Sequence, residues 1–239
     1  MSICAVIPAA GNGTRLGSDD PKVFTKINDK KVVWDFLYEN IKPHVDSFNL
    51  VLKPDMKQRY AHFLNDSIVV SEQSVPLGMG DAIFKGISHW SEYDYILVVW
   101  GDQVNISSET LQKVTMDLND SIVVPFVKSE NPYVEYVFNK DKLKDVLQTR
   151  EGDNTSPGGL SDIGVFLLPT KNLQNYWRSF VTAGEKGSET GELNFLPFFT
   201  YLNNECNTPI KKIIIDNPDE AKGLNTKEDL AYFQSKISR

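Results

Sequence analysis

Short runs of apolar, mostly β-branched residues alternate over the first hundred positions with longer stretches whose apolar residues recur every three or four positions. The runs fall at residues 3–7, 48–52, 68–70 and 95–99, and the helical stretches at 32–41, 54–64 and 79–90. A continuous or two-residue apolar period marks a strand, and a 3.6-residue period marks a helix. The alternation predicts an α/β fold, with a mostly parallel sheet covered by helices on both faces and ligands bound at the carboxyl ends of its strands. Past about residue 120 the rhythm changes. Apolar runs at 122–127, 134–138, 143–147 and 163–168 follow one another through short or polar connections, which predicts antiparallel additions to the sheet. Helices at 173–181 and 193–202, a strand at 210–215 and a closing helix at 227–237 complete the pattern. Two stretches, 149–161 and 183–190, carry the composition of mobile loops.

Composition narrows this picture. With 239 residues, 41% hydrophobic and 24% charged, the chain has the make-up of one soluble globular domain spanning residues 1–239. No apolar run approaches the roughly 20 residues that span a bilayer, and residues 3–7 are too short and lack the basic flank of a signal peptide. Cys4 and Cys206 make neither a metal-ligand spacing nor a disulfide framework, so a reducing cytoplasm is the expected location and no membrane is expected as a partner. A net charge of −7 argues against a nucleic-acid surface, which needs clustered Lys and Arg. A small anionic ligand needs far less, and Arg15, Lys22 and Lys26 lie close together in sequence. His44, His62 and His89 have polar neighbours and read as surface or structural residues.

The first strand runs into Ala9-Ala10-Gly11-Asn12-Gly13-Thr14-Arg15-Leu16-Gly17. Glycines let the backbone turn tightly and approach a ligand closely, and the freed N–H groups can cradle phosphate oxygens. Neither familiar phosphate loop fits: there is no Gly-x4-Gly-Lys-Ser/Thr run, and Leu16 stands where a dinucleotide fingerprint needs its third glycine. The run at 95–99 ends in Trp100-Gly101-Asp102-Gln103, which puts a carboxylate at the carboxyl end of a central strand, where oxygen ligands suit Mg²⁺.

Taken with Pro21-Lys22, the Gly-x-Gly-Thr-Arg segment resembles the signature of the sugar-phosphate nucleotidyltransferases, whose fold is GT-A-like and shared with the MobA-like NTP transferases. Within them the resemblance is nearest to the uridylyltransferases that act on N-acetylglucosamine 1-phosphate. Several further segments carry it. Gln73-Ser74-Val75-Pro76-Leu77-Gly78-Met79-Gly80 is similar to the family's base-binding segment, Asp102 to its metal-binding Asp, and Gly223-Leu224-Asn225 to the segment whose Asn shares that metal. On local sequence alone Asn225 reads equally as a metal ligand or as a helix N-cap in competition with Thr226.

The resemblance implies a Mg²⁺-dependent enzyme that joins the NMP part of an NTP to a phosphorylated small molecule and releases pyrophosphate. Residues 1–120 would mainly bind nucleotide, and 121–239 would mainly bind acceptor and supply the closing helix. Ala9, Ala10, Gly11, Asn12, Gly13 and Thr14 would hold the triphosphate, and Gln73 and Gly78 the base. Arg15 and Lys22 would stabilise charge at the reacting phosphates, and Asp102 and Asn225 would hold Mg²⁺. Trp100, Gln148 and Asp162 fall where the acceptor would bind. There the pattern changes, because an amide replaces the family's carboxylate at 148 and a carboxylate replaces its amide at 162. N-acetylglucosamine 1-phosphate is therefore not the expected acceptor. The resembling uridylyltransferase also carries a hexapeptide-repeat acetyltransferase domain, and with no such repeats in this sequence a single activity is expected. UTP is the first expected nucleotide and CTP the second, and a homodimer is compatible with the pattern. Alternative readings are a cytidylyltransferase for a phosphorylated alcohol or amino-acid derivative, a dinucleotide-binding regulator or oxidoreductase, and a silent nucleotide-binding module.

Overall fold

Strand β1 (Ile3–Pro8) is buried along its whole length, and its side chains divide by parity between two cores. Ile3, Ala5 and Ile7 face one core while Cys4 and Val6 face the other. Strand β4 (Tyr95–Val99) divides in the same way, with Tyr95, Leu97 and Val99 opposed to Ile96 and Val98. Side chains that alternate between two buried faces explain why both strands read as unbroken apolar runs. The structure, a computed structural model, describes residues 1–11, 16–17, 20–116, 118–184 and 186–237.

The remaining sheet strands are β2 (Ser47–Leu52), β3 (Ile68–Glu72), β5 (Ile122–Ser129), β8 (Gly159–Asp162), β9 (Val165–Pro169) and β10 (Ile210–Ile214). Their order is β10-β5-β9-β4-β1-β2-β3, with β8 added to β5. Helices α1 (Val33–Ile41), α5 (Ser108–Thr115) and α8 (Lys227–Ile237) cover one face. Helices α3 (Met79–Lys85), α6 (Leu173–Thr182) and α7 (Pro197–Asn204) cover the other, giving a single-domain, Rossmann-like α/β/α sandwich. The short helices α2 (Met56–Arg59) and α4 (Ile87–Trp90) complete the set. In α1 the buried residues Val33, Trp34, Leu37 and Ile41 form the expected stripe, and Asp35 closes the first turn by accepting from the Val32 N–H at 2.8 Å.

Three expectations need correction. Residues 122–127 are not an antiparallel addition: β5 runs parallel to β10 and in the same direction as β4. The chain leaves β4, crosses through α5 and leaves a gap, into which β9 later inserts antiparallel to both neighbours. The runs at 134–138 and 143–147 do not join the main sheet. They form a separate ribbon of β6 (Val134–Asn139) and β7 (Lys142–Gln148), which is tied to α7 by Asn203 Oδ1 and Asn204 Nδ2 on the Leu143 peptide, at 2.8 and 2.9 Å. The helix expected over 54–64 is broken into α2 and a 3₁₀ turn at Ala61–Phe63, and between them Tyr60 stacks on Phe24 with ring centroids 4.0 Å apart. Helix α5 had no counterpart in the periodicity reading; its start is fixed by Ser107, whose Oγ accepts from the Thr110 N–H at 3.1 Å.

Candidate active site

Parallel pairing of β1 with β4 brings their carboxyl ends together, so that Ala9, Ala10 and Gly11 lie beside Trp100, Gly101 and Asp102. A third piece comes from far along the chain. The Leu224 N–H donates to the Asp102 carbonyl at 2.8 Å, and Gly223 bridges to Gln103. A Cβ on Gly223 would lie 3.3 Å from the Asp102 carboxyl carbon and 3.1 Å from Asn225 Nδ2, so the hook 223–225 approaches Asp102 this closely because position 223 has no side chain. Thr226, not Asn225, caps α8. Thr226 Oγ1 accepts from the Asp229 N–H at 3.2 Å, while Asp229 Oδ2 accepts from the Thr226 and Asn225 N–H groups at 2.9 and 3.0 Å. The Asn225 side chain is thereby free of the cap, and its Oδ1 faces Lys22.

Lys22 opens a 3₁₀ turn at Lys22–Phe24, anchored by the buried side chains of Val23 and Phe24. Its Nζ donates to Asn225 Oδ1 at 2.6 Å and lies 3.4 Å from Asp102 Oδ2. With side chains 26% and 20% exposed, Lys22 and Asp102 form a half-buried pair. Burial pushes the Asp102 carboxyl above the usual carboxylate range, and the Lys22 ammonium draws it partly back.

Ala9, Ala10, Gly11, Lys22, Trp100, Gly101 and Asp102 line one cleft of about 230 Å³, together with Pro8, Val23, Gln73, Pro76, Gly78, Met79, Ala82 and Glu192. Gln73 is buried, and its Nε2 donates to Asp81 Oδ2 at 2.8 Å and to the Gly78 carbonyl at 3.2 Å. Two acceptors on one side of the amide fix its orientation and leave its carbonyl oxygen as the group for a ligand. Gly78 has φ +116°, and a Cβ there would meet the Leu193 carbonyl at 2.7 Å, so glycine is required on both counts.

Of the three residues expected at the acceptor, Trp100 lines the cleft, its ring braced by Phe166 and Phe195 at 4.9 and 6.1 Å. Gln148 and Asp162 are not among the lining residues. Gln148 is buried at the end of β7, its N–H on Asp153 Oδ2 at 2.8 Å. Asp162 Oδ1 accepts from the Gly164 N–H at 2.7 Å. Burial raises the Asp162 carboxyl to about 6 despite that bond, and burial beside Asp162 lifts the Tyr136 phenol well above its usual range. The Tyr136 hydroxyl is sealed from solvent with no hydrogen-bond partner of good geometry. Asn12, Gly13, Thr14 and Arg15 lie outside the described residues.

Sequence reasoning missed two features. Glu192 reaches the cleft because the Leu193 N–H donates to the Leu77 carbonyl at 3.0 Å, a contact with no local signature. The stretches expected to be mobile are also joined by Glu151. Its carboxylate accepts from Thr190 Oγ1 at 2.7 Å, Asn194 Nδ2 at 2.9 Å and the Glu189 N–H at 3.0 Å. Burial alone would raise this carboxyl, but those donors outweigh it and hold it at about 2. Arg150 adds a hydrogen bond to Asn194 Oδ1 and an approach to Glu192 at 3.6 Å.

The mixed, mostly parallel α/β sandwich thus sets Lys22 and Asp102 in a strand-end cleft, with Asn225 bonded to Lys22. Residues 5–162 match the MobA-like NTP transferase domain, and the chain belongs to that family of nucleotidyltransferases. It is 26% identical over 238 residues to the "Bifunctional protein GlmU" of Wolbachia sp. subsp. Brugia malayi (strain TRS), an alignment covering 96% of this chain and 57% of that protein. The GlmU of Buchnera aphidicola subsp. Acyrthosiphon pisum (strain Tuc7) is 28% identical over 241 residues, covering 98% and 51%. The chain thus spans about half the length of these curated relatives. The crystal structure of 4-diphosphocytidyl-2C-methyl-D-erythritol synthase from Anaerococcus prevotii DSM 20548 superposes with a TM-score of 0.70 at 15% identity, covering 100% of this chain and 96% of that one, and shares the fold. Among the described residues no helix is long and apolar enough to cross a membrane.

Proposed function

We propose that this nucleotidyltransferase moves the NMP group of a pyrimidine NTP, UTP first and CTP second, onto a phosphorylated sugar or similar small phosphate acceptor, releasing pyrophosphate with Mg²⁺ as cofactor. The observation that carries the proposal is the convergence of three distant segments on Lys22: Asp102 beside it in the cleft lining and Asn225 bonded to its ammonium. Among the described residues no group of three or more His, Cys, Asp or Glu side chains could hold a metal. One carboxylate and one amide oxygen nevertheless fit Mg²⁺, which commonly takes one or two carboxylates and completes its shell with substrate phosphates and water. When bound, the ion would neutralise charge on the phosphates.

The residues of the chain divide the other tasks. The acceptor phosphate is already ionised near neutral pH, so its attack on the α-phosphorus needs no general base. Lys22 stabilises negative charge between the α-phosphate and the acceptor, and the backbone after β1 with Arg15 holds the departing pyrophosphate. The Gln73 carbonyl oxygen accepts from an N–H on the base edge, while Trp100 and Glu192 border the acceptor. Pyrophosphate release from UTP, CTP, GTP, ATP and dTTP, assayed against phosphorylated sugars and alcohols with and without Mg²⁺, tests the proposal. Turnover with a pyrimidine NTP that vanishes without metal is the expected result; nucleotide binding without any pyrophosphate release would instead support a silent module.

A further inference from the structure

The position of the Lys22 ammonium carries a consequence beyond its role at the phosphates. Its Nζ lies 2.6 Å from Asn225 Oδ1 and 3.4 Å from Asp102 Oδ2, so it already occupies the cation position that these two oxygens define. The Asn225 carbonyl oxygen cannot direct the same lone pair at an ammonium proton and at a metal ion, and a divalent ion approaching Asp102 meets the ammonium charge at close range. The backbone that carries the two oxygens is tied in place. The Leu224 N–H holds the Asp102 carbonyl at 2.8 Å, and Thr226 and Asp229 fix the chain just after Asn225. Lys22 has the longest side chain of the three. Its backbone is anchored through Val23 and Phe24, but its side chain is long, flexible and 26% exposed to the cleft.

We infer that Lys22 is an internal counter-ion that holds the metal position closed in the free enzyme. An arriving nucleotide opens it by drawing the ammonium onto its phosphates, so metal and nucleotide enter together. This rests on the assignment of Asp102 and Asn225 as the metal pair. Linkage then requires that whatever removes the ammonium from these oxygens raises the metal affinity of the protein without nucleotide.

Mn²⁺ binding to the full chain without nucleotide, followed by electron paramagnetic resonance of the free ion, provides the test. The expected result is weak binding by wild type, at least about tenfold tighter binding by Lys22→Met, wild-type-like weakness in Lys22→Arg, and loss of the gain in Lys22→Met/Asp102→Asn. Measurable binding that is equal in wild type and Lys22→Met, yet abolished by Asp102→Asn, overturns the counter-ion role and leaves the metal pair intact. Binding indifferent to Asp102→Asn, or absent from Lys22→Met, overturns both. Near-identical circular dichroism and melting of the four proteins shows that the differences are not due to misfolding.

Discussion

On the β1–β4 side of the cleft, positions are fixed by main chain: parallel pairing sets Ala9 beside Gly101, and the Leu224 N–H clamps the 223–225 hook to the Asp102 carbonyl at 2.8 Å. On the Glu192 side, residues 149–151 are joined to 187–194 largely through one side chain, the Glu151 carboxylate with its fan of donors. The first arrangement can be changed only by moving strands. The second can be rebuilt by exchanging a few polar residues, as is common where loops carry variable function on a fixed scaffold.

The largest expected effect separates the two sides by function. Lys22→Ala and Asp102→Ala should each lower kcat by about 10²-fold or more, the scale for losing one preorganised charge-stabilising group. Steady-state pyrophosphate release measures this, and turnover within a few-fold of wild type would remove either residue from the chemistry. Neither change should lower the melting temperature much, because both side chains are half-buried and face the cleft.

Glu151→Ala should do the reverse, costing about 1–2 kcal/mol of stability for the donors left without an acceptor while sparing kcat with a saturating acceptor. The dependence on pH supports the sign. With the folded-state carboxyl at about 2 against an ordinary 4.5, its stabilising contribution is complete above about 4.5 and is lost as pH falls toward 2. Urea unfolding of wild type and variant at pH 7 and pH 3 should therefore show a gap that narrows in acid. A gap independent of pH would mean that the carboxylate's charge is not what joins the loops.

This contrast also explains what could be read in the sequence. The α/β class, the β1 loop and the strand-end Asp102 rest on local patterns, hydrophobic period and turn chemistry, which a single chain displays directly. The direction of β5 was misread because β9 is inserted between β4 and β5 from later in the chain, and no local period records an insertion. The choice between Asn225 and Thr226 as helix cap turned on Asp229, whose pairing with Thr226 frees Asn225. Glu192 and Glu151 could not have been found, because their surroundings join segments about forty residues apart or more through loop side chains.

Gly223→Ala sharpens the main-chain side without removing any functional group. A methyl 3.1–3.3 Å from Asn225 and Asp102 forces the hook outward by a few tenths of an ångström. Since misplacements near 1 Å cost about 10²-fold, a fall of about tenfold in kcat/KM is expected, with a higher metal requirement. Full activity at ordinary Mg²⁺ would show that the hook is slack.

The smallest effect tests the boundary between the two sides. Asp162 ends β8 at the Gly164 turn beside Trp100, and burial raises its carboxyl from 3.8 to about 6. A folded state that binds the proton more tightly than the unfolded chain loses stability as pH rises through the window from about 4 to 6, and the penalty is full above it. Asp162→Asn removes the charge but keeps an oxygen that can accept from the Gly164 N–H. The variant should match wild type near pH 4 and exceed it by about 1 kcal/mol at pH 7.5, allowing for partial solvent screening. Thermal unfolding across that range measures the difference. If the variant is instead less stable at pH 7.5, the ionised carboxylate is a favourable part of the turn, held by the Gly164 N–H.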